Sequence, residues 1–238
     1  MRALKLGQLA QTLPERLRQA RERKMDPEDV LTVVLGDEVE RRRGKSTALR
    51  AGKAGLDPEM VLDAWDRQAR ITYDRERFDE LMLLRWVGRH QHVCVLGPVG
   101  VGKTMIAHGL GHIASARGMS VVCVRADSMF AALRASHLDR SHAQEMRRLM
   151  TADLLIIDDF AQRPMDASDT IDFADIIEKR HRKASMIMTS NRDTSEWQAM
   201  MAEPLQAQAV VDRFTNNAHD LVIEGESYRK QQKPKLDR

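Results

Sequence analysis

The first 70 residues show apolar positions at helical spacing and no run that predicts a strand. The leucines of the first helical pattern are Leu4, Leu6, Leu9, Leu13 and Leu17. Asp26-Pro27 and Asp57-Pro58 each place a capping residue before a proline in the first turn, so they predict the starts of a second and a third helix. We therefore predict a small all-helical module over residues 1–70, followed by a linker at 71–77.

From residue 78 onward, short continuous apolar runs alternate with helical patterns. The runs are His92–Leu96, Ser120–Val124, Leu154–Ile157, Met186–Thr189 and Leu221–Ile223. Runs of this kind are typical of parallel strands that helices cover on both faces. We predict an α/β domain over residues 78–238, with a parallel five-stranded sheet. Asp127 or Ser128, and then Ser141, are the expected caps of the two helices before the third run.

The residues between the first strand and its helix spell a phosphate-binding loop. They are Gly97, Pro98, Val99, Gly100, Val101, Gly102, Lys103 and Thr104, and they fit G-x-x-x-x-G-K-[ST]. A chance glycine-rich turn is the alternative, but strand, loop and helix follow one another in the order that nucleotide binding requires. We expect Lys103 to reach the β- and γ-phosphates of ATP and the Thr104 hydroxyl to bind Mg²⁺.

Polar residues end the third and fourth strands. Asp158 and Asp159 follow four aliphatic residues, where the first acid can hold Mg²⁺ and the second can orient or deprotonate water. A turn or helix cap is the alternative for this pair. Asn191 ends the next strand and either caps it or contacts the same water and the γ-phosphate. We predict that Lys103, Asp158, Asp159 and Asn191 form one catalytic site.

Charge is nearly balanced over the 238 residues, at +3 with 31% charged residues. The basic residues are unevenly distributed, however, and the densest cluster is Arg41, Arg42, Arg43 and Lys45. This cluster is either a solvated helix face or loop, or a patch that contacts DNA phosphates. The two cysteines lie in apolar runs, and no apolar run is long enough to span a membrane. We expect a soluble, cytoplasmic protein without a membrane partner.

Four stretches carry a resemblance to a known family. They are Gly97–Thr104; Leu154–Phe160; Thr189–Asn191 with Ser195-Glu196-Trp197; and Val211–Phe214 followed by Glu224–Arg229. They resemble IstB, the ATPase helper encoded beside the transposase of one class of bacterial insertion sequence. The resemblance implies an AAA+ P-loop NTPase core, close to the helicase loader DnaC and the initiator DnaA, without a full lid domain. It also implies ATP with Mg²⁺, double-stranded DNA, a transposase partner and an ATP-dependent homo-oligomer.

The resemblance also implies roles for individual residues. Arg213 matches the position from which such proteins insert an arginine into a neighbouring subunit's nucleotide site, the alternative being a surface ion pair with Asp212 or Glu224. Arg229 matches a second sensor position. The arginines on the helices after the second strand are further candidates for DNA contact. They are Arg134, Arg140, Arg147 and Arg148.

We therefore expect an ATP-dependent DNA-binding protein that recruits or activates a transposase. Three alternatives remain open at this point: a helicase loader, a small metabolite kinase, and a scaffold that binds ATP without hydrolysing it. Asp159 keeps the last one open, because most AAA+ enzymes carry glutamate there. His108 and His112 lie four residues apart on one helix, but no third ligand accompanies them and we do not predict a metal site there.

Overall fold

The computed structural model of the chain describes residues 9–66 and 71–228. The chain divides into two compact units, Met1–Arg50 and Ala51–Arg238. This division falls well before residue 70, where the sequence placed the end of the helical module. Leu4, Leu6 and Arg229 lie outside the described residues.

The first unit contains helix α1 (Leu9–Glu22) and most of helix α2 (Pro27–Lys53). Helix α2 begins where the sequence predicted, and the Asp26 side chain accepts a hydrogen bond from the backbone N–H of Asp29 at 2.9 Å. Arg16 of α1 pairs with Asp37 of α2 at 2.6 Å. Helix α2 runs through the basic cluster, so these side chains project from a helix and not from a loop.

The third predicted helix, at Asp57-Pro58, is wrong. Residues Leu62–Ala64 form one 3-10 turn instead. Two histidines of the second unit fix the backbone of Asp57: its N–H donates to His108 Nδ1 at 3.0 Å and its carbonyl oxygen lies 2.8 Å from His112 Nε2. Burial lowers the pKa of His108, which keeps its ring neutral and able to accept this bond. These tertiary contacts override a local helix signal.

The second unit is built on the predicted parallel five-stranded sheet, which the structure confirms. Its strands are β2 (His92–Leu96), β3 (Val121–Arg125), β4 (Leu154–Phe160), β5 (Ser185–Ser190) and β6 (Ala218–Val222), in the order β3-β4-β5-β2-β6. A separate antiparallel pair joins β1 (Ile71–Thr72) to β7 (Glu224–Gly225). The predicted linker at 71–77 therefore contains a strand and the start of a helix.

Seven helices of the described residues surround this sheet. They are α3 (Arg75–Met82), α4 (Arg85–Gly88), α5 (Lys103–Ala116), α6 (Ala126–Asp139), α7 (His142–Thr151), α8 (Ala167–Arg180) and α9 (Pro204–Thr215). Helix α6 starts one residue before Asp127, so the cap expected at Asp127 or Ser128 is wrong. Ser141 occupies the N-cap position of α7, as predicted, but its side chain forms no capping hydrogen bond. None of the described helices is both long and apolar enough to cross a membrane.

Both faces of the sheet are buried, which explains why its strands are apolar at successive positions. Neighbouring residues of β4 show this: Ile156 belongs to the hydrophobic cluster that includes residues of α3, α4 and α5, whereas Leu155 belongs to the cluster that includes residues of α6, α7, α8 and α9. Each residue is fully buried. The polar residues at the carboxyl ends of β2, β4 and β5 therefore meet at one edge of a rigid layer.

Candidate nucleotide-binding site

The phosphate loop connects β2 to α5 and requires glycine at its turns. Gly97 has a φ of +147°, and a Cβ there would lie 2.2 Å from the carbonyl oxygen of Ile223. Gly102, with a φ of +95°, caps α5, and a Cβ there would lie 2.4 Å from the ring of Trp65. The loop thus ends at a helix N-terminus, where the helix dipole and free N–H groups favour an anion.

Lys103 is the first residue of α5, and its ammonium group is directed back into the loop. Its Nζ donates to the carbonyl oxygens of Gly97 and Pro98 at 2.8 and 2.7 Å, and also to Oδ1 of Asn191. The residue is only 6% exposed. A buried cation can exchange these contacts with neutral oxygens for contacts with phosphate oxygens, which carry more charge.

Asp158 lies at the end of β4 and connects the loop helix to β5. The Thr104 hydroxyl lies 3.1 Å from both of its carboxylate oxygens, and the Thr189 hydroxyl donates to Oδ1 at 2.5 Å. Asp158 is 4% exposed. A hydroxyl and a carboxylate in contact offer the oxygen ligands that Mg²⁺ prefers.

Asp159 occupies a bulge in β4. The register between β4 and β5 shifts between Ile157 and Phe160, and the φ of Asp159 is +58°. Its backbone N–H donates to the Thr189 hydroxyl at 2.9 Å, and its carboxylate pairs with Arg125 of β3 at 3.1 Å. Aspartate tolerates left-handed backbone better than glutamate does, which gives a local reason for the shorter acid.

The loop, Asp159 and Asn191 line a single cavity of about 700 Å³. Strand order explains this, because β5 lies between β2 and β4 and so places Asn191 between the loop and Asp159. All four predicted catalytic residues of this chain's own site therefore converge on one place. Lys103, Asp159 and Asn191 line the cavity, and Asp158 is buried directly behind Thr104.

One wall of the cavity went unrecognised in the sequence. It consists of Met60, Trp65, Ile71 and Tyr228, and Arg125 also lines the cavity. The Trp65 ring N–H donates to the Tyr73 hydroxyl at 3.1 Å, and the Tyr228 backbone N–H donates to the carbonyl oxygen of Gly100 at 2.9 Å. The only sequence signal for Trp65 is that tryptophan is rare, with three in the chain. An apolar and aromatic wall beside a phosphate loop can receive a nucleoside base.

Arg213 does not line this cavity. It lies in the last turn of α9, is 46% exposed, and approaches Glu178 of α8 at 3.7 Å. The surface partner is therefore Glu178, and neither Asp212 nor Glu224 as the sequence suggested. A long ion pair between exposed side chains contributes little to stability, so the Arg213 guanidinium is available to another ligand.

Several of the arginines predicted to contact DNA form ion pairs within the chain. Arg41 and Arg42 both contact Glu38, and their hydrogen bonds lower the pKa of that carboxyl to about 2. The remaining pairs are Arg43 with Glu40, Arg134 with Asp169 and Arg148 with Glu145. In the part of the chain that the structure describes, Arg140 and Arg147 show no ion pair, and Lys45 is exposed.

The phosphate loop follows β2, the acid pair ends β4, and the polar residue follows β5, which lies between these two strands. This arrangement defines a P-loop NTPase of the AAA+ class. Solved structures agree on this fold. The chain is similar to DnaI, with a TM-score of 0.61 and 19% identity over 71% of this chain and 94% of that one. It is also similar to AMPPCP-bound DnaA from Aquifex aeolicus, with a TM-score of 0.59 and 20% identity over 70% of this chain and 51% of that one.

The model of the IstB-like ATP binding protein family matches residues 1–236, so the chain belongs to this family. It is 32% identical to an insertion-sequence ATP-binding protein of Mycobacterium tuberculosis, over 98% of this chain and 94% of the relative. It is 31% identical to the ATP-binding protein of insertion sequence IS21 from Pseudomonas aeruginosa, over 98% of this chain and 88% of the relative.

Proposed function

We propose that this protein is the ATPase helper of an insertion sequence, which assembles on double-stranded DNA with ATP bound and then recruits or stimulates the transposase. One observation carries the proposal: Lys103, Asp159 and Asn191 line one cavity in a chain that matches insertion-sequence relatives over 98% of its length. Hydrolysis of ATP would then limit the lifetime of the assembly.

In this proposal the residues of the loop bind the triphosphate. Lys103 would replace its carbonyl contacts by β- and γ-phosphate oxygens, and the α5 N-terminus would add its N–H groups. Thr104 and Asp158 would hold Mg²⁺, which neutralises phosphate charge when it is bound. The base would pack against the wall that contains Trp65 and Ile71.

Hydrolysis requires a positioned water, and two side chains of the cavity can provide this. The Asp159 carboxylate can accept a proton from the water, and the Asn191 amide can orient it towards the γ-phosphate. Arg125 now pairs with Asp159, so the acid must leave this partner or share it with the water. This contact favours slow hydrolysis, as expected if hydrolysis limits the lifetime of the assembly.

Arg213 would complete the site of a neighbouring protomer. It is exposed, only weakly paired with Glu178, and absent from its own chain's cavity. A guanidinium from another subunit can stabilise the charge on the γ-phosphate, which makes ATP a ligand shared by two protomers. Substitutions of Lys103 and of Arg213 therefore test two different halves of one composite site.

The first experiment separates ATP binding from ATP hydrolysis. Lys103→Ala should abolish ATP binding, because its ammonium group is the buried cation of the loop. Asp159→Asn should bind ATP with unchanged affinity and hydrolyse it at least about 100-fold more slowly. Fluorescent-nucleotide titration and phosphate release measure the two quantities. Wild-type affinity in Lys103→Ala would refute the site assignment, and normal turnover in Asp159→Asn would refute the role of the acid.

The second experiment tests the shared site. Arg213→Ala should keep monomeric ATP binding but lose ATP-driven assembly on DNA, measured by light scattering, together with hydrolysis. Mixing it with Lys103→Ala should restore part of the activity, because each protein supplies what the other lacks. Arg89→Ala, an exposed arginine just before β2, is the matched control and should behave like wild type. A mixture that stays inactive, with normal assembly of Arg213→Ala, would refute a role in trans.

DNA binding should depend on charge more than on base sequence. Among the candidates, Arg140 and Arg147 need not give up an ion pair within the described chain, so Arg147→Ala should weaken binding to unrelated duplexes alike. We expect the slope of log K against log salt to fall by about one for this variant. Arg89→Ala should leave the slope unchanged. Affinity that is independent of salt would refute this basis of recognition.

The partner is tested directly. A purified transposase from an insertion sequence of this class should be retained by the protein on DNA with ATP, and a replicative helicase should not. Lys103→Ala should retain neither. Retention of the helicase alone would favour the helicase-loader alternative, although the nucleotide site would remain as proposed.

A further inference from the structure

A cluster of two histidines and one aspartate lies outside the nucleotide cavity. His137 belongs to the last turn of α6, His142 is the first residue of α7, and Asp172 lies on α8. Nε2 of His137 is 3.1 Å from one carboxylate oxygen of Asp172, and Nε2 of His142 is 3.2 Å from the other. All three ligand atoms lie within 4.8 Å of one another. Three helices therefore each place one ligand atom within a small common region.

The hydrogen bonds around His142 show which of its nitrogens carries a proton. The single hydroxyl proton of Ser136 is donated to the carbonyl oxygen of Leu133 at 2.6 Å. The Ser136 oxygen, 3.1 Å from Nδ1 of His142, must therefore accept a proton from that nitrogen. In the neutral ring this leaves a lone pair on Nε2, directed at the negative Asp172 carboxylate. A lone pair and a carboxylate at 3.2 Å require a cation between them.

A proton can satisfy one imidazole of this cluster more readily than both. The two histidine rings are stacked, with centroids 3.7 Å apart, so two imidazolium charges would repel each other strongly. The Asp172 side chain is 6% exposed, and its ion-pair partners within the described residues are these two histidines. A buried carboxylate needs compensating positive charge. One divalent ion would supply it and use both lone pairs.

We propose that His137, His142 and Asp172 bind a divalent transition-metal ion, with zinc as the best fit. Zinc takes imidazole nitrogen and carboxylate oxygen at about 2.0–2.1 Å in a tetrahedron, which sets neighbouring ligand atoms about 3.3 Å apart. The two histidine–aspartate distances, 3.1 and 3.2 Å, are close to this value. The partly exposed edge at His137 leaves the fourth position to water. Ser136 supports the site by fixing the His142 ring.

The ion would join the corner between α6 and α7 to α8. This corner also carries Arg140, and α7 carries Arg147, two of the proposed DNA contacts. The metal would therefore fix the direction of the helix pair that we expect to meet DNA. Its role is structural and separate from ATP hydrolysis, because none of the three ligands lines the nucleotide cavity.

The test uses the full chain without an affinity tag, freed of metal by a chelator that is then removed. Zinc is added without nucleotide at about pH 8, where free imidazole is neutral, and binding is followed by calorimetry. Cobalt substitution reports coordination through its visible spectrum. His142→Asn and Asp172→Asn remove ligands, and Ser136→Ala removes only the support. His90→Asn changes an exposed histidine elsewhere and is the matched control.

We expect wild type and His90→Asn to bind one zinc ion more than either ligand variant. Zinc at about 100 times its Kd should raise the Tm of wild type by about 5–10 °C. Ser136→Ala should still bind, about 10–100-fold more weakly. Wild type that takes up no zinc, or His142→Asn that takes up as much as wild type, would overturn the proposal. Circular dichroism of each metal-free variant checks that the fold is kept.

Discussion

Thr189 makes the two acids at the end of β4 depend on one hydroxyl group. Its oxygen donates to the Asp158 carboxylate at 2.5 Å and accepts the backbone N–H of Asp159 at 2.9 Å. The residue is fully buried in β5. Thr189→Val keeps the volume and the branched shape but removes both hydrogen bonds, so it isolates their contribution to stability and to the site.

The magnitude follows from the two lost bonds. A hydrogen bond to a charged acceptor contributes about 1.5–3 kcal/mol, and leaving a buried N–H without a partner costs about 1–3 kcal/mol. We therefore expect a loss of about 3 kcal/mol in the free energy of unfolding. For a chain of this size that lowers the Tm by about 6–12 °C. The Thr104 hydroxyl, 3.1 Å from Asp158, remains as a second donor and limits the damage.

A matched control exists in α8. Thr170 is also fully buried, donates to the Asp166 carbonyl oxygen at 2.8 Å, and accepts the Ala202 N–H at 3.2 Å. Thr170→Val orphans one N–H but frees no carboxylate, so it should cost about 1–2 kcal/mol. The two variants thus remove similar bonds, and only Thr189 contacts the acids.

The assay compares ATP affinity and turnover with and without Mg²⁺. We expect Thr189→Val to bind ATP normally in the presence of a chelator, to gain less affinity from Mg²⁺, and to hydrolyse ATP at least about 10-fold more slowly. Thr170→Val should match wild type in all three measurements at a temperature where both variants are folded. Equal turnover in the two variants would refute the argument that this hydroxyl positions the acids.

Three further predictions concern other contacts. Burial lowers the pKa of His92 to about 4, so the unfolded chain binds more protons than the folded chain below about pH 6.5. The free energy of unfolding should therefore fall by about 2 kcal/mol from about pH 7 to pH 5. Urea unfolding should show this loss, and His92→Gln should reduce the dependence of stability on pH. Gly97→Ala should lower the Tm and abolish ATP binding in calorimetry, because its Cβ would meet the Ile223 carbonyl oxygen at 2.2 Å. Arg125→Ala should leave ATP affinity unchanged and raise turnover several-fold, because it removes the ion pair that competes with water for the Asp159 carboxylate. Slower phosphate release would show instead that Arg125 positions the acid.

The strands and the phosphate loop could be predicted because local signals determine them. Strand β2 matches its predicted bounds, and the centre of β4 lies where four aliphatic residues precede the acids. Both strands are buried on two faces, so their apolar runs are unbroken. The glycines and Lys103 have fixed spacing because the turn geometry itself requires it.

The wall of the cavity that contains Trp65 could not be predicted from the sequence, because it depends on contacts between distant segments. The stretch around Asp57 carries a helix signal, yet His108 and His112 hold its backbone in another shape, and Trp65 is thereby placed against Gly102. Nor does a list of strands say which edges pair. The position of β5 between β2 and β4, which unites Asn191 with the acids, follows only from the assembled sheet.

The strand order has a consequence for how the protein is made. Strand β2 carries the phosphate loop, but both of its neighbours, β5 and β6, come from residues Ser185–Ser190 and Ala218–Val222, far downstream. At about 5–20 residues per second, the ribosome needs several seconds to more than ten to make that interval. Until then an apolar strand has no hydrogen-bonded partners, and such an exposed edge can bind chaperones or aggregate. The ability to bind ATP is thus among the last properties that a nascent chain acquires, and nucleotide can favour only chains that have completed the sheet.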